Sequence, residues 1–204
     1  MCTTSIELAQ KYQCQIEAVD LNKAALQVGQ QNVDKNDLND YIHLTQANAM
    51  DLPFEDESFD IILNEAMLTM LPYKVKEKVL KEYYRVLKPN GIVLTHDIAI
   101  INRDNEDVIV NELSKAINMK VTPLTPEIWY SLFKDAGFSQ VESKIGPLSL
   151  MSPVGMLRDE GLLGTLKILK NAFKKENRHM FITMFKTMRK HKSNMNYIVH
   201  AIKK

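Results

Sequence analysis

Asp20 closes a short apolar run, Gln15–Asp20, just before a helix-forming stretch that opens at Asn22. A carboxylate at the carboxyl end of a strand in a doubly wound α/β sheet supplies two acceptor oxygens without a proton, which suits the ribose hydroxyls of an adenosine cofactor. Asp at this place also reads as a helix N-cap for the segment starting at Asn22. In a nucleotide site the acid follows a glycine-rich turn by about 20 residues. Counting back from Asp20 therefore reaches the first residue of the chain. The sequence contains no Gly-x-Gly, and before Gly91 its only glycine is Gly29. His96 and Asp97 leave a second apolar run, Gly91–Thr95, at the edge where open α/β sheets bind ligands. His96 is a candidate general base, with a satisfied turn histidine as the alternative. His43, His179, His191 and His200 lack partners at ligand spacing, and Cys2 and Cys14 fit neither a disulfide framework nor a metal motif. No metal is expected.

Four further runs carry a family resemblance. Gln46–Phe54 followed by Glu55–Ile62 resembles the GDAxxLPF…DxSFDxV run of class I S-adenosylmethionine-dependent methyltransferases. Tyr84–Gly91 resembles the RVLKPGG turn that precedes their fifth strand, and Leu132–Phe138 resembles their late LxxAGF helix end. The motifs stand in the family's order over roughly residues 3 to 145, and the small-molecule group that includes the menaquinone and ubiquinone C-methyltransferases is the best match. The resemblance implies S-adenosyl-L-methionine as cofactor, Asp20 on its ribose, and Leu21 against one face of the adenine. It places Asn48 where the family usually has Asp accepting the adenine amino group, a bond that an Asn carbonyl can also accept. Ala49 and Met50 would add a backbone N–H and an apolar wall. An ordinary turn before Leu52 and Pro53 is the alternative for these three. Asn64–Leu68 corresponds to the stretch facing the methionine end. There Glu65 is a catalytic candidate that would meet a cationic amine or a substrate proton, or else a solvated capping residue.

The elements needed to position these residues are legible in the periodicity. Strands are expected at 15–20, 42–47, 60–63 and 91–95. Helices are expected near 3–12, 22–36, 74–87, 108–117 and 126–136, the last opened by Thr125 as N-cap with Pro126 in its first turn and closed at Gly137. Alternating strands and helices imply an α/β fold with a mostly parallel, Rossmann-like sheet and helices on both faces. The family resemblance implies that strands at 141–145 and 196–202 form an antiparallel edge. The long connection Ser152–Ser193 carries two apolar stripes, Leu162, Leu166, Leu169 and Phe173, then Met180, Met184 and Met188 with Phe181 and Phe185. It is expected to be an inserted helical subdomain, either packing on the sheet or acting as a lid over an apolar acceptor.

At 204 residues and 45% hydrophobic, the chain suits one domain with a substantial core. No apolar run reaches the ~18 residues of a membrane span, and no basic segment precedes a short apolar one, so a cytoplasmic protein is the default. Residues 144–204 carry 13 Lys and Arg against three acids, a net of +10, while the rest of the chain nets −9. That basic segment reads as a solvated helix face, or as a surface for an anionic substrate, a membrane or RNA. Aromatic interleaving of the kind that marks nucleic-acid binding is absent, so no nucleic acid is expected. The expectation is an N-terminally truncated methyltransferase domain over 1–204. It would act on a small or amphipathic acceptor, with no transmembrane segment and with a homodimer allowed. A methyltransferase-fold fragment with impaired cofactor binding is the alternative. A dinucleotide oxidoreductase is disfavoured, because the LPF and KPNG runs have no counterpart there.

Overall fold

Two short parallel strands organise the first of two compact units, Met1–Asp56 and Glu57–Lys204. The structure, a computed structural model, describes residues 1–148, 157, 164–166 and 168–204. In the first unit β1 (Ile16–Asp20) and β2 (Ile42–Gln46) pair in parallel, with Asp20 opposite Gln46. Parallel neighbours need a crossover, and α2 (Lys23–Asp34) supplies it. Asn22 caps α2, its Oδ1 accepting the N–H groups of Ala24 and Ala25. The capping role weighed for Asp20 thus belongs to its neighbour. Ala9 of α1 (Thr3–Tyr12), Val33, Leu38 and Ile42 form the buried core, with Ile6, Ile16, Ala18 and Leu44 packed around them. Gly29 lets α2 approach β2 closely, since a Cβ there would lie 2.8 Å from Leu44 Cδ2.

The second unit holds a four-stranded sheet. β3 (Phe59–Glu65) and β4 (Leu87–Ile100) are parallel, and β6 (Met195–Lys203) runs antiparallel between β4 and β5 (Gln140–Pro147). The antiparallel strand is therefore one in from the edge. β4 is much longer than its apolar run suggested, because every residue from Ile92 to Ile100 pairs with β6. His96 and Asp97 accordingly lie within the strand rather than in a turn leaving it. Lys88–Gly91 forms an irregularity in the strand, where Asn90 has a φ of 66° and a Cβ on Gly91 would lie 2.7 Å from Leu87 Cγ. α3 (Tyr73–Val86) buries Lys76, Val79, Leu80, Tyr83 and Val86 at helical spacing, with a lysine among its inward residues. α4 (Glu106–Ile117) and α5 (Pro126–Asp135) follow. Thr125 caps α5 through Ile128 N–H, and Gly137 beyond it has a φ of 104°.

In the connection before β6, helical backbone runs at 164–166 and 168–172, and α6 spans Lys175–Lys190. Ser152 and Leu162 of the expected subdomain lie outside the described residues. The Met–Phe stripe is internal packing for most of its length. Met188 is buried with Ile100, Ile109, Leu113 and Met195, and Phe181, Met184 and Phe185 pack against that cluster. Met180, on the flank, is exposed.

On the buried face of the sheet His200 lies between the rings of Phe133 at 4.7 Å and Trp129 at 5.9 Å, with Nδ1 2.8 Å from Ser143 Oγ. Among the described residues its Nε2 has no hydrogen-bond partner, nor has Oγ1 of Thr95, its register neighbour. Burial lowers the His200 pKa to about 4. The folded unit therefore keeps a neutral imidazole, whereas an unfolded chain takes up the proton near pH 6.5. Stability from this group is complete above pH 6.5 and is lost as pH falls toward 4, by about 2 to 4 kcal/mol. Chemical denaturation at pH 7 and pH 4 should show that loss, and His200→Gln should lack most of it. An equal loss in the variant would assign acid sensitivity to other groups.

Candidate functional site

At the carboxyl edge of the first unit's parallel pair, the folding of β1 and β2 brings the sequence-derived cofactor residues together. Asp20 ends β1 exposed, with Oδ1 accepting Asn22 N–H at 2.8 Å, which fixes the carboxylate and leaves Oδ2 without a partner among the described residues. Leu21 beside it is exposed. The ends of the two strands are tied by Gln46 Nε2 donating to Leu21 O at 3.1 Å and Ala47 N–H to Asp20 O at 3.3 Å. Asn48 then opens a tight turn, its Oδ1 accepting Met50 N–H at 3.0 Å and its backbone bridging to Asp51. The Asn48 carbonyl keeps a second lone pair for a ligand. Half-exposed Ala49 and exposed Met50 complete the edge. An exposed carboxylate with a free oxygen, next to an amide and two apolar side chains, fits a nucleoside.

The second unit has a carboxyl edge of its own. Glu65 ends β3 directly opposite His96 of β4, so the two side chains share one face of the sheet. Glu65 is exposed, while His96 is half-buried against the Tyr197 ring at 4.5 Å. Asn64, pointing the other way, is buried. Its Oδ1 accepts from Tyr83 OH at 3.1 Å and its Nδ2 donates to Asp97 Oδ2 at 3.3 Å. The amide is engaged at both ends, so only the backbone of Asn64 is open to a ligand.

Asp97 is the residue whose role the sequence concealed. It is buried, and its Oδ1 accepts both the N–H and the Oγ1–H of Thr69 at 2.8 Å, while Thr69 Oγ1 accepts Ile98 N–H at 3.1 Å. Desolvation raises its pKa above the usual carboxylate value, against the lowering pull of the Thr69 bonds and Lys76. Lys76, fully buried, donates to Leu71 O at 2.5 Å and to Thr122 O at 2.7 Å, and burial lowers its pKa to about 8. Together these groups pin both ends of the turn after β3. Inside that turn Ala66 adopts a φ of 55°, a region few non-glycine residues occupy, with its N–H held by His96 O at 2.7 Å. A strained turn held this firmly fixes Glu65 and Met67 at the strand edge. The sequence signal was an acidic residue inside a long apolar alternation.

Past the end of β4 an open cleft of about 500 Å³ is lined by Asn102, Asn105, Val108, His191 and Asn194. On its Lys190–His191 side, Glu112 receives Lys190 Nζ at 2.5 Å and lies 2.8 Å from His191 Nε2, contacts that hold its carboxyl below the usual range. Among the described residues no cluster of three or more His, Cys, Asp or Glu could hold a metal, and no helix is long and apolar enough to cross a membrane.

Residues 2–95 match a family model described as a methyltransferase domain. An uncharacterized protein of Haemophilus influenzae is 50% identical over 198 residues, covering 97% of this chain and 78% of that protein. The family match gives the chain a methyltransferase domain over residues 2–95. The ubiquinone/menaquinone biosynthesis C-methyltransferase UbiE of Brucella canis is 34% identical over 102 residues, covering 50% of this chain and only 37% of UbiE. A phosphoethanolamine N-methyltransferase of Haemonchus contortus, solved with phosphomonomethylethanolamine and S-adenosylhomocysteine, superimposes with a TM-score of 0.75 at 18% identity. It matches 98% of this chain and 46% of its own. That likeness establishes the Rossmann-like methyltransferase fold.

Proposed function

We propose that the protein transfers a methyl group from S-adenosyl-L-methionine to a small or amphipathic acceptor. The observation that carries this reading is the Asp20 carboxylate, exposed at the end of β1 with one oxygen fixed by Asn22 and the other open. Asp20 and Leu21 would hold the ribose and one adenine face, and Asn48, Ala49 and Met50 the base edge. Asn64 would meet the methionine end through its backbone. The cofactor's sulfonium supplies an already activated methyl group, so the protein's own task is to align the acceptor and exclude water. Glu65 and His96, register neighbours on one sheet face, are the groups placed to take a proton from the acceptor. The cleft beyond β4 offers a small molecule room. The biosynthetic role in the Brucella relative's name supports a small acceptor over a macromolecular one.

A second reading rests on a specific observation: no Gly-x-Gly occurs in the sequence, and β1 pairs only with β2 among the described residues. On that reading the cofactor grip is incomplete.

Asp20→Ala is expected to weaken S-adenosylhomocysteine binding by about 1 to 3 kcal/mol, the cost of unpaired polar groups, or roughly 5- to 150-fold. Ligand-observed NMR titration reaches millimolar affinities and would measure this even where the parent binding is weak. Unchanged affinity would remove Asp20 from the site.

A further inference from the structure

The basic tail of the sequence resolves into one exposed stripe on α6, a feature the methyl-transfer reading does not use. The inward side of the helix is settled by Phe181, Met184, Phe185 and Met188, which pack on the core. On the flank beside them, at helical spacing, lie Lys175, Arg178, Ile182, Lys186 and Arg189, all exposed. The four cations stand four and seven residues to either side of Ile182, so they surround it on one face. None of the four makes an ion pair among the described residues. Glu112, the acidic residue bound to this helix, is engaged by Lys190 and His191. Ile182 is 40% exposed in the middle of the stripe, and Phe173, just before the helix, is 68% exposed.

We propose that this face of α6 docks the protein on an anionic lipid bilayer. Unpaired Lys and Arg side chains gather at a negatively charged membrane surface, each strengthening attachment by roughly fivefold. The aliphatic centre separates this ligand from nucleic acid. A single-stranded nucleic acid favours aromatic platforms on which bases stack, and none of the five stripe residues is aromatic, whereas an isolated Ile among cations suits the boundary between headgroups and acyl chains. Because the adjoining apolar face of the helix is committed to the core, α6 would lie on the bilayer with only Ile182 entering it. The attachment is therefore chiefly electrostatic, reversible and sensitive to salt.

The test is co-sedimentation of the full chain with phosphatidylcholine vesicles containing or lacking about 30% phosphatidylserine. Binding is expected only to the anionic vesicles and should fall steeply with salt. The combined variant K175Q, R178Q, K186Q and R189Q should lose at least about 100-fold of it. Ile182→Asn, with the charges intact, should lose several-fold. All five positions are exposed, and equal far-UV circular dichroism would verify that the variants fold. Equal binding to both vesicles would overturn the proposal. So would retention by the fourfold variant, indifference to Ile182→Asn, or binding to single-stranded RNA without binding to vesicles. Cofactor affinity is read separately, so failure here leaves the methyl-transfer reading intact.

Discussion

Asp97→Ala is expected to destabilise the second unit by about 3 to 5 kcal/mol, the range for breaking a buried charged hydrogen-bond network. The carboxylate accepts from Thr69 N–H, Thr69 Oγ1 and Asn64 Nδ2, all buried, and its removal leaves three donors without a partner. Tyr83 holds the far end of the same Asn64 amide, so the loss reaches α3. The turn at 66–71 should loosen first, because Ala66 sits in a strained conformation that these bonds maintain. Hydrogen exchange of Thr69 and Ala66 N–H would report this directly, and denaturant unfolding would give the magnitude. Asp97→Asn keeps the shape but turns a donor toward Thr69 or leaves it one acceptor, and should recover only part of the loss. An unchanged midpoint with unchanged slope would show the network to be dispensable. The pH dependence adds a sign. Burial raises the Asp97 pKa, so the folded unit holds this proton more tightly than the unfolded chain. Its contribution to stability is largest below the ordinary carboxylate pKa and falls as pH rises through the raised value. That is opposite to His200, and Asp97→Asn should therefore steepen the net acid loss.

The contrast between Asp20 and Asp97 shows what periodicity can reveal. Asp20 closes a five-residue strand and precedes a capped helix, so its place at a strand end is a local property, legible from neighbours in sequence. Asp97 is buried by partners 28 and 33 residues away, Thr69 and Asn64. A His–Asp pair read locally as the strand's exit, because polar residues usually leave the sheet. The strand continues because β6, about a hundred residues later, supplies a ladder partner for every residue up to Ile100. Lys76 was hidden for the same reason. A cation on the inward stripe of α3 is tolerable only because the carbonyls of Leu71 and Thr122 meet it, and a loop 46 residues away supplies one of them. Elements were readable where side-chain period set them. The polar network at the edge of β3 and β4 is a long-range arrangement, and single-sequence patterns carry no record of it.

Titration of the 204-residue chain with S-adenosyl-L-methionine is expected to show binding weaker than about 100 μM, less than roughly 5.5 kcal/mol. The first unit offers an acceptor carboxylate at Asp20 and an apolar wall at Leu21 and Met50, but these 204 residues hold no Gly-x-Gly to bring backbone N–H groups close to such a ligand. Gly29 cannot serve, because its missing side chain is already used: a Cβ there would meet Leu44 and Cys2 at 2.8 and 2.9 Å. The ladder is one-sided as well. Among the described residues β1 pairs only with β2 and β3 only with β4. Ile61 and Leu63, on the same face of β3, remain 59% and 43% exposed. Strand edges and apolar faces of this kind leave the residues at their carboxyl ends less rigid than a fully paired sheet would, and a looser site binds its ligand more weakly. Isothermal calorimetry on this chain and on the Haemophilus influenzae relative, under the same conditions, separates the two readings. Weak binding here with micromolar binding there would support the incomplete-grip reading. Low-micromolar binding by this chain would mean that Asp20 and the Asn48–Met50 turn hold the cofactor without a glycine turn, and the incomplete-grip reading would be wrong.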